Sequence, residues 1–242
     1  MKLCTLAVGF VILEVLAVTL AADAPAVKSK VNLQPNLERW GLQPKAQGRR
    51  GTCSVCVTTG AFEYALSRKL DRGMPLSVEY LNWACNQVIG NTTQDRGQFF
   101  HHLLQGFDKY GICLDRHMPY EPKFSNTQPS DSARENAQEI HQLGFLVHWI
   151  KQLSKDGTLT DDHMAQIRAV LNSGWPICAG SHHSRLIVGY EDDADAPGGG
   201  RFFVADSGGS GKFAEVTYEF AREKTYDVFW VELPLEPRAA DD

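Results

Sequence analysis

The chain has 242 residues, with 24 Lys and Arg against 29 Asp and Glu, a net charge of -5, and 43% hydrophobic and 22% charged residues. That size and balance suit a globular protein with one large core, or two lobes sharing a cleft. They exclude the strongly basic surface of a nucleic-acid binder, and no period of 20 to 50 residues marks a solenoid or propeller.

The chain opens with Lys2, the apolar run LCTLAVGFVILEVLAVTLAA and small residues from Ala21 to Ala26. A positive end, an apolar middle and a small-residue exit are the layout of a secretory signal peptide, so residues 1–22 are expected to be one. Glu14 interrupts the apolar stretch. The competing reading, an uncleaved anchor, would need a longer apolar span. A secreted or periplasmic location follows, with no stable membrane insertion once the signal is removed. Removal takes Cys4 with it and leaves Cys53, Cys56, Cys85, Cys113 and Cys178. An odd number in a disulfide-permissive compartment implies a free thiol. The other four allow two bridges, in any of three connectivities, or none.

Residues 23–36 lack hydrophobic periodicity and read as a linker, with the domain proper at 37–235 and Trp40 as an early apolar anchor. Apolar residues at 53, 56, 57, 60, 61, 64, 65 and 70 predict a helix over 53–70, stopped by Gly73 and Pro75. Ser77 is an N-cap for a second helix, VEYLNWACNQV. A third runs from about Gln98 to Tyr110, with Phe99, Phe100, Leu103, Leu104 and Phe107 on one side and Gly111 at its end. Two more helical patterns cover 130–142 and 161–171. The period then becomes two and the residues turn β-branched and aromatic, giving candidate strands over 175–179, 186–190, 201–205, 214–218 and 227–233. Helices first and antiparallel strands afterwards make an α+β chain, a helical N-terminal lobe followed by a β-sheet C-terminal lobe.

Chemistry concentrates at AQGRRGTCSVC, residues 46–56. The thiolate is the reactive form of cysteine, and the unpaired N–H groups of a helix start favour it. Cys53 stands at that position. A nucleophilic cysteine also needs a histidine base held by a third group. The sheet half offers SHHSRLIVGY, where His183 leads an apolar run, and FFVADSGG, where Asp206 ends the next strand before a glycine turn. Neighbouring strands would bring these two side by side, facing the helix start.

These pieces resemble the papain-like cysteine peptidases. The family's glutamine six residues before a helix-opening cysteine appears as Gln47 with GRRGTC. Its H-x-x-x-x-V-G-Y appears as HSRLIVGY from His183, and its N-S-W-G turn as DSGG from Asp206. PLSVEYLNWAC is similar to its L-S-x-x-x-L helix, and DRGQFFHHLLQGFDKYGICLDRHMPYEP to its glycine–helix–G-I…P-Y segment. His183 lies 130 residues beyond Cys53 and Asp206 153, near the roughly 130–150 of this family. The resemblance covers about Trp40 to Leu233. It implies a papain-like fold with the active site in the cleft between the lobes. It also implies Cys53 as nucleophile, His183 as its imidazole partner and Asp206 orienting that ring. The Gln47 amide and the Cys53 N–H would hold the oxyanion, and the Gly97 backbone would pair with an extended peptide. The implied substrate is a peptide or protein, with no cofactor, metal or nucleic acid.

The departures from the pattern are specific. Arg50 stands where the family has a disulfide cysteine. Asp206 replaces its asparagine, and a charged acceptor stabilises imidazolium more strongly. Gly208 replaces the tryptophan that shields this bond. Only Gly180, Ser181 and His182 separate the strand at 175–179 from His183, so the cleft should be more open there. The segment before Gln47 is shorter than the family's usual inhibitory propeptide, so control would come from elsewhere or the substrate range would be narrow.

Other features have plainer readings. Cys56 lies on the inner helix face and reads as a core thiol. A redox C-x-x-C would follow a strand in a βαβ unit, which this one does not. His182 competes with His183, and the V-G-Y spacing favours His183. His101 and His102 lack partners at metal spacing, and EDDADAPGGG lacks the ligand pattern of a calcium loop and reads as a polar hairpin. Asn91-Thr92-Thr93 is a glycosylation sequon. The expected function is an exported cysteine peptidase. The alternatives are a catalytically inactive papain-fold peptide-binding protein and a thiol–disulfide oxidoreductase.

Overall fold

The computed structural model describes residues 28–154 and 158–234. The expected signal peptide, the first residues of the expected linker and residue 235 lie outside them. The helical lobe is built from α1 (Gln34–Arg39), α2 (Cys53–Leu70), α3 (Val78–Ile89), α4 (Phe100–Tyr110), a single 3-10 turn (Asp115–His117) and α5 (Asp131–His141). Ser77 caps α3 by accepting the Tyr80 N–H, and Ser130 caps α5 by accepting that of Ala133, each satisfying a donor that the first turn leaves open. At the α3–α4 crossing Gly106 is obligatory, because a Cβ there would come within 2.7 Å of the Cys85 amide nitrogen.

The sheet comprises β1 (Lys30–Asn32), β2 (Leu146–Lys151), β3 (Ile177–Gly180), β4 (Arg185–Asp192), β5 (Gly200–Asp206), β6 (Lys212–Thr217) and β7 (Asp227–Glu232). All pairings are antiparallel, in the order β2-β7-β3-β4-β5-β6, with β1 also on β4. Helices α6 (Asp161–Asn172) and α7 (Tyr218–Lys224) pack on this sheet. The fold is papain-like α+β.

Helix α2 is the axle. It touches α3 and α4 on one side and β3, β4 and β7 on the other. Burial therefore extends round most of it, including Thr58, Thr59, Glu63 and Ser67, whereas the 3.6-residue pattern revealed only one apolar stripe. Gly60 lets β4 approach, since a Cβ there would meet Leu186 at 3.2 Å. Glu63 is paired with Lys45 and also accepts the Leu76 N–H at 2.9 Å. Burial nevertheless pushes its carboxyl upward.

The linker reading of 23–36 is corrected over residues 30–36, which form β1 and the start of α1. β3 covers β4 only at Arg185–Ile187, and β1 takes the same edge at Gly189–Glu191. Backbone pairing defines this strand and side-chain alternation does not, so the sequence pattern is silent. Gly189 registers the approach: a Cβ there would sit 2.3 Å from the Val31 carbonyl oxygen. β2 and α7 were also missed. Phe99, expected on the apolar side of the third helix, is instead its extended N-cap and 55% exposed.

Candidate active site

The chain enters α2 through a loop that is tied from several sides. Arg50 is buried and makes a two-point ion pair with Glu79 in the first turn of α3. It also donates to the Glu121 carbonyl at 2.9 Å, reaches Asp95 at 3.4 Å and stacks over Tyr120. Tyr120 in turn donates to the Gln47 carbonyl at 3.0 Å and shares a 2.6 Å hydrogen bond with Thr52. At the position where the family pattern has a disulfide cysteine, this loop has an ionic and aromatic clasp. Ser54, one residue into the helix, donates to the Gln98 carbonyl at 2.7 Å. Gln98 donates to Asn86, as does Asn91, whose amide also donates to the Gln94 carbonyl. The sequon asparagine is thus 6% exposed and holds the loop that carries Gly97.

The sheet lobe contributes the tight β3–β4 connection and the end of β5. Ser181 donates to the His183 carbonyl at 2.7 Å. His183 Nε2 lies 2.7 Å from Asp206 Oδ1, which also accepts the Gly208 N–H at 2.7 Å. Arg185 Nε donates to Asp206 Oδ2 at 2.9 Å, and its Nη1 to the His183 carbonyl at 2.9 Å. Burial pushes the Asp206 carboxyl upward. The bonds from His183 and Gly208, with the charges of His183 and Arg185, outweigh it and hold the group below its usual value. A Cβ on Gly208 would lie 2.9 Å from Asp206 Oδ1, so glycine here leaves room for that bond.

The two lobes meet at Gln47. Its backbone N–H donates to the Ser207 carbonyl at 2.9 Å, and Ser207 Oγ donates to its side-chain Oε1 at 2.7 Å. Its Nε2 donates to the Arg50 carbonyl at 2.7 Å. A cleft cavity of about 270 Å3 is lined by Cys53, Gly97, Phe99, Leu153, Ser181 and His182, among others, with Asp227 also on its wall. Burial pushes the Asp227 carboxyl up to about 6, against the opposing charge of Lys151.

Sequence-singled residues thus fall into groups. His183 and Asp206 are in direct contact, Gln47 is bonded to the loop following Asp206, and Cys53 and Gly97 share the cavity with the residues flanking His183. His182 packs edge-on to Tyr226 at 5.5 Å. All five described cysteines are free, which of the alternatives left open by the sequence is the one without bridges. Burial pushes the Cys56 thiol up to about 12, along with those of Cys85 and Cys113. Among the described residues no cluster of His, Cys, Asp and Glu could hold a metal, and no helix is long and apolar enough to cross a membrane. The acids of EDDADAPGGG serve the hairpin: Asp192 accepts from Tyr218 and Arg168, and Asp193 from Arg201. Sequence reasoning missed Arg185, Phe99 and Asp227. Arg185 was within the quoted HSRLIVGY, two residues from His183, but no spacing rule singles out a residue that acts across the sheet.

No family model matches the chain. An uncharacterised peptidase C1-like protein of Acanthamoeba polyphaga mimivirus is 24% identical over 135 residues, which is 55% of this chain and 42% of that protein. The match therefore spans less than half of the relative's length. Among solved structures, xylellain, a cysteine protease from Xylella fastidiosa, superposes with a TM-score of 0.65 at 17% identity, covering 86% of this chain and 87% of that one. The digestive procathepsin L 3 of Tenebrio molitor larval midgut gives 0.62 at 16%, covering 87% and 72%. The ragweed pollen cysteine protease Amb a 11 in its proform gives 0.62 at 15%, covering 89% and 69%. At these identities the likeness is one of fold: the chain has the architecture of papain-like cysteine proteases.

Proposed function

We propose that the protein is an exported cysteine peptidase that hydrolyses peptide bonds through Cys53, His183 and Asp206. The observation that carries this reading is the 2.7 Å bond from His183 Nε2 to Asp206. With Nε2 committed there, Nδ1 is the nitrogen left to take the Cys53 proton. The resulting thiolate attacks the substrate carbonyl. The oxyanion is held by the Cys53 N–H and the Gln47 amide, whose second N–H is left for it after the first binds Arg50. Imidazolium then protonates the leaving amine, and water, deprotonated by the same ring, releases the acyl group from sulfur. The exposed Gly97 at the cavity rim offers its backbone to an extended peptide. The Cys56 thiol, buried and pushed up to about 12, is a poor resolving partner for a redox pair.

An epoxide inhibitor of cysteine peptidases tests the reading. It should label Cys53 in the folded protein near neutral pH under reducing conditions, and Cys53→Ala should abolish labelling. A folded sample that stays unlabelled overturns it.

A further inference from the structure

His183, Asp206 and Arg185 form a closed circuit. The ring donates to one carboxylate oxygen, the guanidinium donates to the other, and the same guanidinium reaches back to the carbonyl of the histidine itself. Arg185 is the first residue of β4, set by its pairing with Ala179, and its guanidinium lies 5.6 Å from the ring centre of Phe220. It is thus fixed at three points: a carboxylate, a carbonyl and an aromatic face. Two consequences differ in kind. The geometric one is that ring, carboxylate and strand move as a unit. The electrostatic one is that a bare carboxylate would favour imidazolium strongly, and a guanidinium on its far oxygen opposes that preference.

We propose that Arg185 is a positioning residue whose charge neutralises Asp206, so that the pair presents to the His183 imidazole a nearly neutral acceptor and limits how far the thiolate–imidazolium state persists as pH rises. This rests on the Cys53–His183 reading above. Other groups around the ring are accounted for. Cys53 on α2 is its proton partner, and His182 on the same loop turns to Tyr226. Lys212 on β6, opposite Asp206 in register, is exposed. Asp227 on β7 lines the cavity beyond His182. Among these, Arg185 and His183 carry the charges that bear on Asp206.

The rate of Cys53 alkylation by iodoacetate as a function of pH reads this directly. Its carboxylate is drawn by imidazolium, so the rate rises as the thiolate forms and falls when the imidazolium loses its proton. Arg185→Gln should move the falling limb up by about one pH unit, and Arg185→Lys should leave it close to wild type. Asp206→Asn, with the guanidinium left in place, should move it down. The double variant Arg185→Gln/Asp206→Asn should return it toward wild type, because both charges are gone. An unmoved limb in Arg185→Gln, or a double variant that superimposes on Asp206→Asn, overturns the proposal. The second comparison stands even if Arg185→Gln alone does not fold. A wild-type profile with no falling limb sinks the Cys53–His183 pairing, and this proposal with it. A wild-type limb that ignores Arg185 sinks this proposal only.

Discussion

Arg50 and Arg185 each tie a loop of the cleft to a carboxylate, but in different surroundings. The Arg50 side chain is 2% exposed and that of its partner Glu79 4%, whereas Arg185 is 22% exposed and Asp206 13%. On the Cys53 side the charges have lost their water, and only good geometry with extra hydrogen bonds can compensate. Glu79 has those: it also accepts the Glu121 N–H at 3.2 Å, and Arg50 is backed by Tyr120. On the His183 side solvent still reaches the pair. The loop before Cys53 is therefore locked in place, while the setting of the imidazole stays adjustable by charge. In the proposed mechanism, Cys53 as nucleophile gains from being fixed, and His183 as a base that must gain and lose a proton gains from a tunable neighbour.

Breaking the buried clasp should have the largest effect. Arg50→Ala leaves Glu79 buried without its counter-ion and should cost about 3–5 kcal/mol in denaturant unfolding, whereas replacing both residues with apolar ones of similar volume should recover most of that loss. A cost below about 1 kcal/mol would remove the distinction between the two sides. Next comes Gln47→Ala. If its amide holds the oxyanion, peptide hydrolysis should slow by about 10²–10³. Stability should fall far less than in Arg50→Ala, which separates the role in chemistry from the hydrogen bond to Ser207.

Asp227 gives a smaller effect with a definite sign. Its folded value of about 6 lies above the roughly 3.9 of an unfolded aspartate. Between these values the folded chain holds the proton more tightly, so stability falls as pH rises from about 4 to 6, and the loss is complete above that. Asp227→Asn should flatten this slope, by about 1–3 kcal/mol across the window, in thermal melts taken at each pH. A slope identical to wild type would mean that the carboxyl is not held up by burial. The smallest change is expected from Arg185→Ala, whose solvent-reached ion pair should contribute no more than about 1 kcal/mol to unfolding. If it costs as much as Arg50→Ala, the contrast between a locked and a tunable side fails.

Legibility in the sequence followed the kind of signal each element leaves. Helix α2 was readable to its ends because Cys53 to Leu70 carries a 3.6-residue stripe closed by Gly73 and Pro75. The strands from β3 onward were readable through alternation and the APGGG turn. β1 and β2 were not. The first is three residues held by backbone pairing to β4. The second, LVHWIK, has its pattern broken by a bulge before Lys151. For the candidate site, residue type and spacing singled out Cys53, His183, Asp206 and Gln47, because each chemical role admits few side chains.

By itself, then, the sequence determined the α+β order and the central helix and singled out the candidate site residues, since hydrophobic period and side-chain type are local properties. Tertiary structure alone decided what Arg50, Asn91 and Arg185 do. Each is an ordinary polar residue in the string, and the partners of the two arginines lie tens of residues away: Glu79 for Arg50, Asp206 for Arg185. Asn91 reads as a sequon and becomes a buried brace because Asn86 and the Gln94 carbonyl close on it. Charge and hydrogen-bonding capacity are written in the residue, but the burial that gives them energetic weight is set by what the fold packs around them.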